Sequence, residues 1–403
     1  MTPVSLDVSD VHRERLLRAV AAATFVIFFQ AFMVAPILPQ LGEAFGASPE
    51  RVGLIVPAYL IPYGVATLVY GLLADRLGIW RVMAGSMTGF AVLTALTATA
   101  GSVEQLALWR LLTGLGSSGV VPLGLVLVGR LFPYERRGRP LGWLFGAMAG
   151  GMAFGSTSGA LLEPSIGWRG LFLAVAAAGA AILFVLRRSR GVVPGATAAG
   201  ANLGTLFRGY RDLLVSTRGR RTYAYVFLNS VFHSGVFTWL GLYFERRYGL
   251  GPVGVGLALL GYGIPGFLLG PIIGRVADQR GRGRLLPLGL FLGAVAAAAL
   301  ILDVPLLLAV VAVTVLSLGY DMTQPLFAGI VTALGGQRPG QAMGLNVCLL
   351  FTGFGLGSLL FGSTLRLEFG PVLAAFAAAE LALAVVALLL FRSEVPPAEG
   401  GRP

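Results

Sequence analysis

The chain contains no lysine, one cysteine (Cys348) and two histidines (His12 and His233), and only 12% of its residues are charged. A single cysteine excludes an intramolecular disulfide. Set in an apolar run, Cys348 reads as a small packing residue. Two histidines and one cysteine are too few to build a metal-ligand cluster. The sequence also lacks a phosphate-binding glycine loop and a nucleophile elbow. These absences argue against an enzyme, a metal site and a bound cofactor. Without an ATP site, any work the protein does must draw on ion or substrate gradients.

What is abundant is apolar surface. Hydrophobic residues make up 56% of the 403 positions, and mean hydropathy is +0.82. Such a chain lies outside the range of soluble domains. A bilayer core about 30 Å thick takes roughly 20 apolar residues per helical crossing. The sequence divides into about twelve such stretches, near 16–38, 51–73, 82–100, 105–128, 140–162, 169–187, 222–244, 253–276, 285–302, 305–328, 341–362 and 371–391. The two-residue alternation of a membrane barrel is absent, so an all-α membrane protein is expected. The first stretch is longer than a signal-peptide core and is followed by no small-residue cleavage site, so it reads as a retained helix.

The net charge of +12 comes from thirty arginines. If both termini share one side, that side collects 24 of them, against five opposite (Arg51, Arg169, Arg246, Arg247 and Arg366) and Arg110 inside a span. By the positive-inside rule both termini are cytoplasmic. The basic excess is thus topology, and no nucleic-acid partner is expected. The one long polar connection, about 188 to 221, separates six spans (1–187) from six (222–403) and reads as a cytoplasmic linker or a passive tether.

A short pattern occurs twice, 203 residues apart: Gly71, Asp75, Gly78 and Arg81, then Gly274, Asp278, Gly281 and Arg284. Gly71 and Gly274 permit close helix crossing, Gly78 and Gly281 permit a tight turn, and the two aspartates suit a helix N-terminus or a nearby arginine. With this duplicated motif, covering essentially the whole chain, the sequence resembles the major facilitator superfamily. The resemblance implies two pseudo-symmetric six-helix bundles that alternate access around a midplane cavity. It also implies a cytoplasmic latch formed by Gly71, Asp75, Arg76, Gly78, Arg81, Gly274, Asp278 and Gly281. The second copy departs from the pattern at Gln279.

Two further features are similar to the drug/proton antiporter group. In the fourth span Arg110, Thr113, Gly114 and Gly116 match a motif tied to proton coupling or conformational change. An arginine inside a span costs about 2.5 to 3.5 kcal/mol on insertion scales, unless it snorkels to the interface. In the fifth span Gly142, Gly151, Gly155 and Gly159 keep a glycine ladder, with Ser156 and Ala160 replacing its proline and last glycine.

In the resembled fold, spans 1, 4, 7 and 10 face the cavity. That makes Thr24, Gln30, Thr113, Asn229, His233, Trp239, Tyr320, Asp321 and Gln324 candidates for binding substrate or protons, with Arg110. Asp321 leads, because an intramembrane carboxylate is functional by default; a structural pair or hydration near the cytoplasm is its alternative. Glu380 is expected to sit in a structural pair, and no acid occupies the first span. Tyr59, Tyr63, Trp239, Tyr262 and Tyr320 line an apolar pocket or pack as ordinary core. The expectation is a monomeric inner-membrane transporter exporting a small drug-like or metabolite compound in exchange for protons. The alternatives are an uptake symporter or uniporter for a sugar or organic acid, and a non-transporting receptor.

Overall fold

The computed structural model describes residues 10–132, 138–188, 203–266, 268–269, 272–273, 276, 281–336 and 339–394. Every regular element among them is helical. Among the described residues, nine stretches are long and apolar enough to cross a bilayer. One of these, Trp143–Arg188, is two spans, because the backbone of Gly138–Arg188 leaves helical geometry at Gly167 (φ 67°, ψ 163°). The seventh and eighth crossings are less apolar: Thr217–Thr238 continued by Leu240–Tyr248, and Pro252–Ala258 followed by helical residues between 264 and 276. The protein is an all-α membrane protein of twelve spans.

In chain order, span 1 is Asp10–Phe32 with Leu38–Phe45, and span 2 is Pro49–Gly53 with Ile55–Leu77. Span 3 is Ile79–Thr97, and span 4 is Val103–Ser117 with Val120–Leu131. Spans 5 and 6 lie on either side of Gly167. Spans 9 to 12 are Arg282–Ala299, Leu306–Gly335, Pro339–Thr364 and Phe369–Leu390. Between the halves, Leu203–Val215 forms an additional helix, from which Tyr210 donates to the Leu68 carbonyl at 3.1 Å.

The duplication is written into the turns. Spans 1 and 7 both end on a left-handed glycine, Gly46 (φ 58°) and Gly249 (φ 64°), and the next spans open on Pro49 and Pro252. Gly78 (φ 89°, ψ 142°) and Gly281 (φ 82°, ψ 160°) turn the chain in the same way. These are conformations that L side chains rarely adopt. The symmetry fails chemically at the turn before the last span of each half. The turn before span 6 is made by Gly167, whereas the matching turn before span 12 is made by Glu368 at φ 71°, ψ 160°.

Within each half, one helix pair packs backbone to backbone. A Cβ at Gly151 or Gly155 of span 5 would lie 2.5 Å from the carbonyl oxygen of Phe25 or Phe29 of span 1, and Gly159 repeats the contact at Met33. Span 11 approaches span 7 the same way, with Gly353 set 2.7 Å from the Phe227 carbonyl by the same measure and Gly357 against Val231. Small residues permit this approach where lipid supplies no hydrophobic drive between helices. The halves join through spans 2 and 11, where a Cβ at Gly64 would stand 2.8 Å from the Cys348 carbonyl and Gly355 packs on Ile61. At the end away from the termini, Phe32 meets Phe237 (centroids 5.7 Å) and Gly53 lies against the Trp239 indole.

At the face carrying the termini, one residue gathers three spans. Glu394 accepts from Arg218 at 2.9 and 2.7 Å and from Arg221, while its carbonyl accepts from the backbone amides of Arg282 (2.8 Å) and Gly283 (3.0 Å). Burial alone would push the Glu394 carboxyl up, but the hydrogen bonds and charges of Arg218 and Arg221 hold it below the usual carboxylate range.

Two predictions follow from these features. The Glu368 conformation is essentially restricted to glycine and costs another residue about 1–3 kcal/mol. Glu368→Gly should therefore raise the thermal unfolding midpoint in detergent, and a fall would show that the turn is unstrained. A depressed carboxyl contributes stability that is complete above its unfolded pKa of about 4.3 and is lost as pH falls through its folded value. The midpoint of the wild type should thus drop more steeply than that of Glu394→Gln as pH falls below about 4.3.

Candidate functional site

The centre of the molecule is a continuous layer of rings crossing from one half to the other. Tyr59 and Tyr63 of span 2 stack at 5.8 Å, and Tyr63 meets Phe351 of span 11 at 4.4 Å. Phe351 leads to Phe354 (5.9 Å), Phe354 to Tyr320 of span 10 (5.7 Å), and Tyr320 to the imidazole of His233 at 3.8 Å. Phe28 and Phe32 of span 1 close over this layer edge-on, at 5.7 Å from Phe351 and 6.0 Å from Phe354. Helical spacing explains the sets: positions three or four apart share a face, as in Tyr59 and Tyr63, Phe351 and Phe354, and Phe28 and Phe32.

A charged residue lies at each end. Arg110 is 0% exposed and reaches no interface, so the snorkelling alternative does not hold. Its guanidinium sits 4.3 Å over the Tyr59 ring and donates to Gln30 Oε1 at 2.9 Å, to the Gln30 carbonyl at 3.3 Å and to the Ile55 carbonyl at 3.3 Å. No carboxylate among the described residues pairs with it. Gly114 lets span 4 come this close, since a Cβ there would strike the Tyr59 backbone. Tyr59 is in turn fixed by a 3.2 Å hydrogen bond to Ser117.

At the other end, Asp321 follows Tyr320. Ser317 donates to Asp321 Oδ2 at 2.9 Å and itself accepts from the Gly263 amide at 2.8 Å. Gly266 of span 8 makes room for the carboxyl: a Cβ there would stand 2.6 Å from Asp321 Cγ. No basic side chain among the described residues pairs with Asp321. His233 Nε2 shares a hydrogen bond with the Tyr262 hydroxyl, while its Nδ1 has no partner among the described residues. Four buried polar atoms on spans that contribute to the layer or to its Arg110 end have no hydrogen-bond partner among the described residues: Thr24 Oγ1, Gln30 Nε2, the Tyr63 hydroxyl and Gln324 Nε2.

The other candidates from the sequence divide. Thr113 turns back to its own helix, donating to the Trp109 carbonyl at 2.7 Å. Asn229 ties span 7 to span 10 through Thr323 at 2.8 Å. Trp239 stands apart from the ring layer, donating to the Ser358 carbonyl at 3.1 Å. Glu380 was expected in a structural pair; it is buried, and neither carboxyl oxygen has a hydrogen-bond partner among the described residues. Of the latch residues, Gly78 and Gly281 make the turns described above. Arg76 and Arg81 are exposed. The close crossing expected at Gly71 is not seen among the described residues, because nothing stands within 4 Å of where its Cβ would be. The Asp75 side chain, Gly274 and Asp278 lie outside the described residues. Phe351, Phe354, Phe28 and Phe32 carry no polar group to mark them in the sequence, and their three- and four-residue spacing is the one signal that points to them.

Two duplicated six-span halves enclosing aromatic and charged side chains at their junction define a polytopic transporter architecture. The family model for the Major Facilitator Superfamily matches residues 20–358 and 248–403, and the chain belongs to that superfamily of multi-pass membrane transporters. It is 27% identical over 270 residues to an uncharacterised MFS-type transporter, YceJ, of Bacillus subtilis (strain 168), covering 66% of this chain and 68% of that one. It is 27% identical over 289 residues to an MFS-type efflux pump of Mycolicibacterium smegmatis, covering 68% and 66% respectively. In fold it is similar to the crystal structure of the human organic anion transporter MFSD10, with a TM-score of 0.73 at 17% identity over 94% of this chain and 99% of that one.

The Arg110 fork gives a prediction that needs no substrate. Lysine keeps the charge but is a point donor that does not reproduce the planar fork. Buried acceptors left unpaired cost about 1–3 kcal/mol, so Arg110→Lys should lower the unfolding midpoint. Arg81→Lys, at an exposed site, should stay within about 0.5 kcal/mol of wild type.

Proposed function

We propose that this transporter exports a planar, largely apolar compound of drug size in exchange for protons, with both termini cytoplasmic in the cell (inner) membrane. The observation that carries the reading is the ring layer with Asp321 at one end. Stacked rings suit a flat apolar guest, and the unpartnered Tyr63 hydroxyl among them offers a polar group to orient it. Asp321 is the proton carrier in this reading, because a carboxyl inside a span, held by a serine hydroxyl rather than by a cation, is free to exchange its proton for a cationic substrate. The two halves, 1–187 and 222–403, rock about the connection at 188–221 in a monomer, and the repeated motif around Gly78 and Gly281 latches the cytoplasmic side. The similarity to an efflux pump supports the outward direction.

A second reading, proton-coupled uptake of an organic acid, is favoured by one observation: Arg110 is buried with neutral partners alone among the described residues, leaving a charge for a carboxylate to meet. Proteoliposomes with an imposed pH gradient separate the two. Lipophilic aromatic cations should release protons through wild type, and Asp321→Asn should be silent. Proton movement with organic acids alone would establish the second reading. Cation-driven release that survives in Asp321→Asn would remove Asp321 from the coupling step.

A further inference from the structure

An open groove lies away from the ring layer, between spans 1 and 6 at the face carrying the termini, with a volume of about 610 Å³. Its mouth carries Glu14, Arg15 and Arg18 of span 1. Its floor is apolar, with Ala19 and Ala22 of span 1 opposite Ile182 and Val185 of span 6. The pattern follows from helical spacing. Arg15, Arg18, Ala19 and Ala22 recur at three- and four-residue intervals and share one face, and Ala22 sits about 6 Å deeper than Arg18 along the axis. Alanine against branched Ile182 and Val185 leaves a trough that larger side chains would fill.

Arg15 and Arg18 are exposed and pair with no carboxylate among the described residues. Span 6 is an outer helix, with Phe184 56% and Leu173 52% exposed, so the groove opens toward lipid. Two arginines and one glutamate give the mouth a formal charge of +1. The site is therefore amphiphilic along its depth, cationic at the membrane surface and apolar below it.

We propose that this groove binds one acidic phospholipid, its headgroup phosphate held between Arg15 and Arg18 and an acyl chain lying along Ala19, Ala22, Ile182 and Val185. Arginine pairs with phosphate through parallel hydrogen bonds, and basic pockets between spans recognise anionic headgroups. A free phosphate uses the mouth alone; the apolar floor selects the lipid. The inference is independent of the transport reading.

The test is native mass spectrometry of the delipidated full chain, titrated with phosphatidylglycerol or phosphatidylcholine in detergent. The expected result is one retained phosphatidylglycerol, at least fivefold over phosphatidylcholine. That lipid is lost in Arg15→Gln/Arg18→Gln and in Ala22→Phe, and inorganic phosphate does not displace it. Equal retention of phosphatidylcholine, or retention of phosphatidylglycerol by both variants, overturns the proposal. Displacement by inorganic phosphate reduces the groove to an anion site and overturns the lipid assignment. If one variant is not monodisperse, the other decides, and the wild-type lipid preference is a separate test.

Discussion

Spans 1 and 5, and spans 7 and 11, touch through their backbones, and the rest of the architecture is set by that contact. In lipid, helices gain little from hiding apolar side chains from one another, so close dispersion contacts and weak Cα–H···O bonds have to hold them. Gly151, Gly155 and Gly159 meet the carbonyls of Phe25, Phe29 and Met33 in step, one turn at a time. This fixes the rotation of span 1 about its own axis. Once the backbone at Phe25, Phe29 and Met33 lies against span 5, Phe28 and Phe32 reach Phe351 and Phe354 of the other half, while Gln30, on another face, reaches Arg110 within its own half. Gly353 and Gly357 do the same for span 7, which brings His233 onto Tyr320.

Two ionisable groups inside spans are kept apart by this arrangement. Arg110 belongs to the first half and Asp321 to the second, and the rings between them prevent the neutralisation that a direct ion pair would bring. Each is instead solvated by neutral dipoles: an amide and carbonyls for the arginine, a serine hydroxyl for the aspartate. Isolated intramembrane charges are expensive. Holding two of them with neutral partners keeps both able to respond to something arriving from outside.

Much of the fold was legible in the sequence because it rests on composition and on glycine. Apolar runs of crossing length gave the spans, and the 203-residue repeat gave the duplication that reappears in the paired turns at Gly78 and Gly281. Span 7 was legible as a crossing, although Thr222, Asn229, Ser230, His233 and Thr238 make it less apolar than its neighbours. The candidate site was legible only in part. Arg110, Gln30, His233, Tyr320 and Asp321 are rare residue types in apolar surroundings and draw the eye. Phenylalanine does not, since 25 of them are spread through the chain. Which of them meet across the halves depends on the glycine contacts between spans 2 and 11, a tertiary fact that no local pattern carries. For the same reason Thr113 and Asn229 looked available in sequence and prove to be engaged, one by its own helix and the other by Thr323.

The ring layer has a further consequence. In this conformation the rings of one half are covered by the rings of the other, so a guest enters by replacing one apolar contact with another of similar strength. Only the difference between the two remains as affinity. Such an exchange depends little on the guest's detailed outline and mostly on its having a flat face of about the right extent. A layer that closes on itself is therefore a poor discriminator between planar molecules, and it needs no separate plug to stay sealed when none is present.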